Sequence, residues 1–462
     1  MSIKKLSDEV LLNIFRYYLD ASPQRWPWLA HICRKWRLLV FESQLALRLQ
    51  LLCTHGTPVL KVLDCWPALP IVVEYEGTQA LDTPVPEDED NIVAALQRTD
   101  RVSSVHLTVT KSLLQKITSI EKPFSTLEEL VLRCEDFMEL GSPRAFRWCP
   151  RLRSLYLSRV SFSSIPQLLY SSRHLVNIRL HNIADIANFS PEVLVNALSK
   201  MDQLQSLTLY LRSSASCPDV GMLPSSAGGK RVVFPSLTHF KFRGTSGLFN
   251  RFIVRIDPPL LRDIEITFSG RLSLVSKLRE FMERIGMQKS HLQAEVLFSD
   301  DAISISFSQP GALMYPKLRI SIRPSNWQLF SIFELCNRLS ALLSGVEELH
   351  IHATRLSSGQ DKMNCEDWAK LIHLFGGTKR IHIGGKLSTD IVLSLELYRT
   401  PTLLPSLHTL CIREPWSRYA PLREAVVSLM VCHRCSERRL QVEYERQGIT
   451  VAYLPATHAE LF

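Results

Sequence analysis

Four clusters in this 462-residue chain have residue types that could do chemistry. Cys432-His433-Arg434-Cys435 carries the Cys-x-x-Cys spacing that can place two thiolates on one metal ion. One such pair is half a zinc site, and no second pair lies near it in the sequence. Cys432 and Arg438 also have the Cys-x5-Arg spacing of a thiol phosphatase. That chemistry needs backbone N–H groups cradling phosphate, usually with glycine for close approach. The segment CHRCSER has no glycine and continues the helical pattern of AVVSLMVCHRC. His350-Ile351-His352 on a strand puts two imidazoles on one exposed face, without a third ligand nearby in the sequence. Gly228-Gly229-Lys230 lacks the first glycine and the closing Ser or Thr of a phosphate loop. GxSxG, HExxH and the dinucleotide fingerprint do not occur. The expectation is a chain that binds rather than catalyses, with no catalytic residue, no metal and no cofactor.

Hydrophobic residues make up 46% and charged residues 21% of the chain, which excludes disorder throughout. No run of about 18 uncharged apolar residues exists, so a membrane-spanning helix is not expected. Asp8 and Glu9 interrupt the N-terminal segment where a secretory signal would need an apolar core. The chain is therefore expected to stay on the side where it is made, in the cytoplasm, the nucleus or both. The net charge of +9 is a mild bias, and nucleic acid is not an expected partner without a concentrated basic patch. Eleven scattered cysteines read as reduced thiols, several buried as small hydrophobes. The sequon Asn188-Phe189-Ser190 is expected to go unused in that compartment.

Positioning begins with two amphipathic helices. Val10, Leu11, Ile14, Phe15 and Tyr18 recur at three- and four-residue intervals. Ser7 suits a helix cap, and Asp8 and Glu9 sit at the positive end of the dipole. Pro23 closes this region. Leu29, Ile32, Cys33, Trp36, Leu39 and Val40 form a second stripe, with Arg34, Lys35 and Arg37 off it. Two helices in about 35 residues cannot bury a core alone. They must pack on the rest of the chain or on a partner.

The strings LSDEVLLNIFRYYLD and WLAHICRKWRLLV resemble an F-box, through Leu6, Glu9, Val10, Leu11, Ile14, Phe15, Cys33, Arg34, Trp36 and Arg37. Ser7 stands where that motif usually has proline, and the inter-helix segment ASPQRWPW is atypical. LLCTHGTPVLKVLDCWPALPIVVEY, NIVAALQRTDRVSSVHLTVT and FPSLTHFKFRGTSGLFNRFIVRIDPPLLRDIEITF are similar to stretches of a large family of fungal F-box proteins. The resemblance implies docking on a Skp-family adaptor and, through it, a cullin. Its implied contacts are Leu6, Val10, Leu11, Ile14, Phe15, Leu29, Ile32, Cys33, Trp36 and Leu39.

A repeat governs the remainder of the chain: apolar, two residues, apolar, one residue, apolar. It occurs at Val102/Val105/Leu107, Leu127/Leu130/Leu132, Leu152/Leu155/Leu157, Leu175/Ile178/Leu180 and Leu204/Leu207/Leu209. It continues at Leu237/Phe240/Phe242, Leu261/Ile264/Ile266, Val346/Leu349/Ile351 and Leu407/Leu410/Ile412. The last two apolar residues of each triplet point inward from a strand, and only a stacked neighbour covers them. Helices such as 190–200 lie between strands, with Ser190 as cap, Pro191 in the first turn and Val193, Leu194, Ala197 and Leu198 inside. The pattern blurs near 290–330, where strands are expected without interleaved helices, before a helix at about 326–343.

The fold expected is α/β: an F-box helical domain (1–50), a packing segment and acidic linker (51–90), and a leucine-rich-repeat solenoid with a curved parallel sheet (91–462, irregular at about 290–345). The run GTQALDTPVPEDED reads as a solvated linker, with Asp88, Glu89 and Asp90 helping to start a helix. The segment 213–231 reads as a mobile Ser/Gly/Pro-rich loop.

Outward positions on the strands are Arg133, Tyr156, Arg179, His181, Tyr210, Lys241, Arg243, His350, His352 and Arg413. They are the expected target-binding residues, suited to an acidic or phosphorylated ligand. Including Glu129, Asp263 and Glu348 nearly cancels that bias. The function expected is an F-box substrate receptor of an SCF-type ubiquitin ligase, with a repeat scaffold lacking a ubiquitination role as the alternative.

Overall fold

The computed structural model describes residues 6–21, 23–54, 56–75, 86–140, 144–162, 165–183, 191–211, 231–269, 277–287, 292–299, 302–308, 317–323, 328–353, 364–384, 387–398, 403–413, 420–435, 440–446 and 449–453. It is a mixed α/β structure with a mostly parallel sheet, and its contacts divide the chain into two compact units, Met1–Ser214 and Ala215–Phe462. The mobile-loop expectation for 213–231 falls, except for Arg231, outside the described residues, as do Ser190 and most of the acidic linker.

The first unit opens with α1 (Asp8–Ala21), α2 (Trp26–Ile32) and α3 (Arg34–Glu42). Ser7 caps α1 as its type suggests, its Oγ accepting from Val10 N at 3.4 Å. Trp26 is buried and meets Trp66 and Phe41 edge-on, at 4.9 and 6.1 Å between ring centroids. Its indole N–H donates to the Gln50 carbonyl at 2.6 Å. Those contacts fasten the helices to the segment between Gln50 and Trp66.

Seven strands then form an all-parallel sheet: β1 (Leu51–Cys53), β2 (Ile71–Tyr75), β3 (Val102–Thr108), β4 (Glu129–Leu140), β5 (Ser154–Phe162), β6 (Asn177–Ile183) and β7 (Ser206–Leu211), in chain order. The stretch read as a packing segment thus supplies two strands. In every triplet of this unit the last two apolar residues lie on the strand, and all three are buried. The helix Pro191–Leu198 buries Leu194, Val195, Ala197 and Leu198, while Val193 is half-exposed.

Glu89 departs from the linker reading. It is buried, 5% exposed, and accepts from Thr110 Oγ1 and Ser112 Oγ, each at 2.7 Å. Lys116 Nζ stands 3.1 Å away. Burial pushes its carboxyl up, but the hydrogen bonds from Ser112, Thr110 and Lys116 together outweigh that and hold it below the ordinary value. An acid in a linker-like run is here a bolt between two helix starts.

In the second unit, β8 (Val232–Val233) pairs with β10 (Ile256–Asp257) as a separate two-stranded ribbon. The main strands are β9 (His239–Gly244), β11 (Asp263–Phe268), β12 (Leu292–Phe298), β13 (Ile303–Ser308), β14 (Lys317–Ile322), β15 (Val346–Ala353), β16 (Arg380–Gly384), β17 (Thr409–Ile412), β18 (Gln441–Arg446) and β19 (Ile449–Tyr453). Their order is β9-β11-β14-β13-β12-β15-β16-β17-β18-β19. Of these strands, β13 and β19 run against the rest. The irregular region is therefore a three-strand meander inserted in reverse, with β14 beside β11 and β12 beside β15. Alternation keeps Ala294, Val296, Phe298, Ile303, Ile305, Phe307, Leu318, Ile320 and Ile322 buried across it. The helix expected at about 326–343 is described as Gln328–Arg338 and Ser340–Leu343.

Strand β16 lies outside the nine triplets. Its repeat reads Thr378/Ile381/Ile383, with Thr378 fully buried in place of leucine and its hydroxyl donating to the Val346 carbonyl at 3.2 Å. At Gly377, a Cβ would stand 2.1 Å from the Ser344 carbonyl oxygen, so only glycine fits that entry.

Candidate functional site

The helical unit sorts its apolar residues by side. Leu11, Phe15, Leu29 and Leu39 are buried. They form its core and present no free surface, and Phe15 meets Trp36 edge-on at 4.7 Å. Leu6 and Trp36 are half-buried. Val10, Ile14 and Tyr17 are 43%, 46% and 84% exposed, and their spacing of four and three puts them on one face of α1. Trp28, Ile32 and Leu38 are exposed as well, and so is Cys33. Val10, Ile14 and Tyr17 thus form one helical stripe open to water. Tyr17 and Trp28 are the members that the motif resemblance did not single out. Their exposure comes from helix phase, which only the packing of Phe15 and Trp26 fixes.

On the first unit's sheet, the outward rows converge into a concavity of about 500 Å3 whose lining includes His106, Glu129, Arg133, Tyr156, Arg179 and His181. Register places Thr108, Arg133, Ser158, His181 and Tyr210 side by side on successive strands. The next row is Glu74, His106, Val131, Tyr156, Arg179 and Thr208. The Arg133 guanidinium lies 5.3 Å over the Tyr156 ring, His181 stands edge-on to Tyr156 at 5.0 Å, and His181 stacks on Tyr210 at 4.3 Å. The Tyr156 hydroxyl and His181 Nδ1 are 3.3 Å apart. Five of the expected target-binding residues are thus gathered on four strands. At the other end of the concavity, His106 Nε2 lies 3.1 Å from Glu129 Oε2. That hydrogen bond raises His106 and lowers Glu129 from their ordinary values. The site offers cations and aromatic faces at one end and a carboxylate–imidazole pair at the other.

The other expected residues lie in the second unit and are spread over more than one row. Lys241, Glu265, Arg319, Ser306, Glu295, His350, His382, Cys411 and Glu443 are in register across nine strands. Lys241 Nζ is committed to Glu265 at 2.8 Å. Arg243 stands in the next row beside Thr267. Arg413 Nη1 reaches His352 Nε2 at 3.5 Å. Lys241, read from sequence as part of a basic surface, is thus answered by an acid on the neighbouring strand. His350 stacks on His382 with ring centroids 4.1 Å apart and planes 4° apart. Glu348 Oε1 is 3.2 Å from His350 Nε2 and 2.8 Å from His382 Nε2. Burial lowers both imidazoles, His382 to about 4, with the neighbouring His350 adding to the effect there. His382 is the residue sequence reasoning missed. The signal was Thr378-x-x-Ile381-x-Ile383, which scores as a repeat only if a buried threonine may stand for leucine.

The backbone of Cys432–Cys435 is helical, as part of Ala420–Cys435, as the AVVSLMVCHRC pattern predicts. Its side chains, with Arg438, lie outside the described residues. Cys149 and Cys336 are buried, and burial pushes both thiols up to about 12. No helix among the described residues is long and apolar enough to cross a membrane.

No family model matches the chain, so neither the F-box nor the fungal family has that support. No curated protein matches it either. Among solved structures, the chain is similar to the leucine-rich repeat-containing protein LegL7 from Legionella pneumophila, at 13% identity and a TM-score of 0.28. That match covers 71% of this chain and 97% of LegL7. It assigns no residue roles.

Proposed function

We propose that the chain is a substrate receptor of an SCF-type cullin–RING ubiquitin ligase, working in the cytoplasm or nucleus. The observation that carries the reading is the exposed Val10/Ile14/Tyr17 stripe within the segment that resembles an F-box. Val10 and Ile14 are already more than half buried, so covering the rest of each contributes less than half of the roughly 1.5–3 kcal/mol that full burial of such a side chain is worth. A Skp-family adaptor docks on that stripe, with Ile32 and Trp36 beside it in the motif, and a cullin joins through the adaptor. The first unit's concavity holds the target, an acidic or phosphorylated segment meeting Arg133 and Arg179. Catalysis is positional: target lysines are brought near a ubiquitin-charged enzyme on another subunit. The chain itself contributes no catalytic residue.

The test is co-expression of the full chain with a Skp adaptor, then size-exclusion chromatography. A stoichiometric complex is expected for the wild type and its loss for Val10→Asp with Ile14→Asp. Those sites are exposed, so the variant keeps its core; deleting residues 1–50 would instead uncover Trp66. A folded wild type without a complex removes the ligase reading. The second reading is then a repeat scaffold that binds a protein without directing ubiquitination, favoured by the first unit's concavity, which needs no adaptor.

A further inference from the structure

We infer that Glu348, His350 and His382 form a binding site for a divalent transition-metal ion of the zinc class. The argument starts from the sheet. Glu348 and His350 are alternate residues of β15, so their side chains leave the same face. His382 is the register partner of His350 on β16. Hydrogen-bonded parallel strands hold the three on a rigid base, the kind of support a metal site needs. One donor atom from each lies within 4.8 Å of the other two. Two imidazole nitrogens and a carboxylate oxygen are a known zinc donor set, and a fourth position stays open for water or a substrate.

The polar accounting points the same way. Both ring nitrogens of His382 are shut off from solvent and neither makes a well-formed hydrogen bond, although Glu348 Oε1 is 2.8 Å from Nε2. Buried polar groups normally have partners, and an orphan calls for a cause. A cation on Nε2 supplies one. Gln293 Nε2 stands 2.7 Å from His350 Nε2, the nitrogen nearest Glu348, so an ion on that nitrogen takes the place of the amide contact. The rings are parallel at 4°, which aims their lone pairs side by side. Loading therefore turns one ring about χ2 until the two converge on the ion. The adjacent pair in sequence, His350 and His352, is not the site. The His352 ring is 6.0 Å from that of His350 and reaches Arg413 instead.

The experiment titrates the full chain, stripped of metal, with Zn2+ by calorimetry and with Co2+ by visible absorption. A Cys432→Ser, Cys435→Ser background removes the Cys-x-x-Cys pair as a competitor. One ion per chain is expected, with ligand-field bands for Co2+ and a rise in melting temperature on Zn2+. His350→Ala and His382→Ala each weaken binding by at least ~10-fold, and His352→Ala leaves it unchanged. Circular dichroism checks each fold. If His382→Ala does not fold, Glu348→Gln gives the same reading with the backbone and side-chain size kept. No binding by the folded chain, or unchanged affinity in a folded His382→Ala or Glu348→Gln variant, overturns the site.

Discussion

The two units solve the inward problem identically and the outward problem differently. Leu130, Leu155, Ile178 and Leu207 of the first unit and Phe240, Ile264, Leu349 and Ile381 of the second are all buried, each on its strand's inner side. Outside, the first unit lines up Arg133 over Tyr156, Tyr156 edge-on to His181, and His181 stacked on Tyr210. The second pairs polar groups with one another, with Lys241 on Glu265 and the imidazoles of His350 and His382 on Glu348. The inner row is set by the need to exclude water, which any large apolar side chain meets. The outer row carries no such demand, so it is where two otherwise similar sheets can acquire different ligands.

The strongest way to break that comparison is to show that the inner rows are unequal. Leu180→Ala in the first unit and Ile351→Ala in the second should each cost about 2–5 kcal/mol. Chemical denaturation monitored by circular dichroism would report it. If one costs far less, the sheets are not equally packed and the parallel fails at its base.

The next effect is on binding. Arg179→Glu should weaken capture of an acidic or phosphorylated peptide by about 1.5–3 kcal/mol, with stability unchanged, because Arg179 is exposed beside Tyr156 on the concave face. Lys241→Glu, on the paired face, should leave that capture untouched. Fluorescence anisotropy with labelled peptides separates the two. Equal losses would mean that the peptide reads charge at large and not the first unit's concavity.

Part of this contrast is legible in the sequence. The apolar-x-x-apolar-x-apolar triplets place nine strands, and simple alternation names Arg133, Tyr156, Arg179, His181 and Tyr210 as outward. What alternation cannot give is the neighbour. Lys241 reads as a free cation until register puts Glu265 on the adjoining strand. His350 reads as lacking a third ligand until Thr378, buried with its hydroxyl satisfied, reveals an unrecognised strand carrying His382. The reversed order β14-β13-β12 is hidden for a related reason: a strand's own residues record that it is two-sided, not which strand it joins. On the helices, periodicity finds the α1 stripe but not its sides, so Phe15 looks as available as Ile14; the second stripe, read as one helix, is broken at Cys33, whose extended backbone separates α2 from α3.

The units also differ in where they put their carboxylates. Glu89 of the first is buried among two hydroxyls and Lys116. Glu89→Gln should cost about 1–3 kcal/mol. Because its folded pKa is depressed, the wild-type advantage is fully present above the unfolded value of about 4.3 and is lost as pH falls through the folded value. Stability curves of wild type and variant should therefore converge in acid. A constant gap at every pH would assign the loss to packing and not to the charge.

The smallest expected effect tests the second unit's pairing. Lys241 and Glu265 meet at 2.8 Å, yet both side chains keep more than a third of their surface in water. Solvent screens such a pair, and holding two flexible side chains in one geometry costs entropy. A double-mutant cycle with Lys241→Met and Glu265→Gln should return less than about 1 kcal/mol, shrinking further as salt is added. A larger, salt-insensitive coupling would mean that the row from Lys241 to Glu443 acts as one network. The second face would then differ from the first in rigidity as well as in charge.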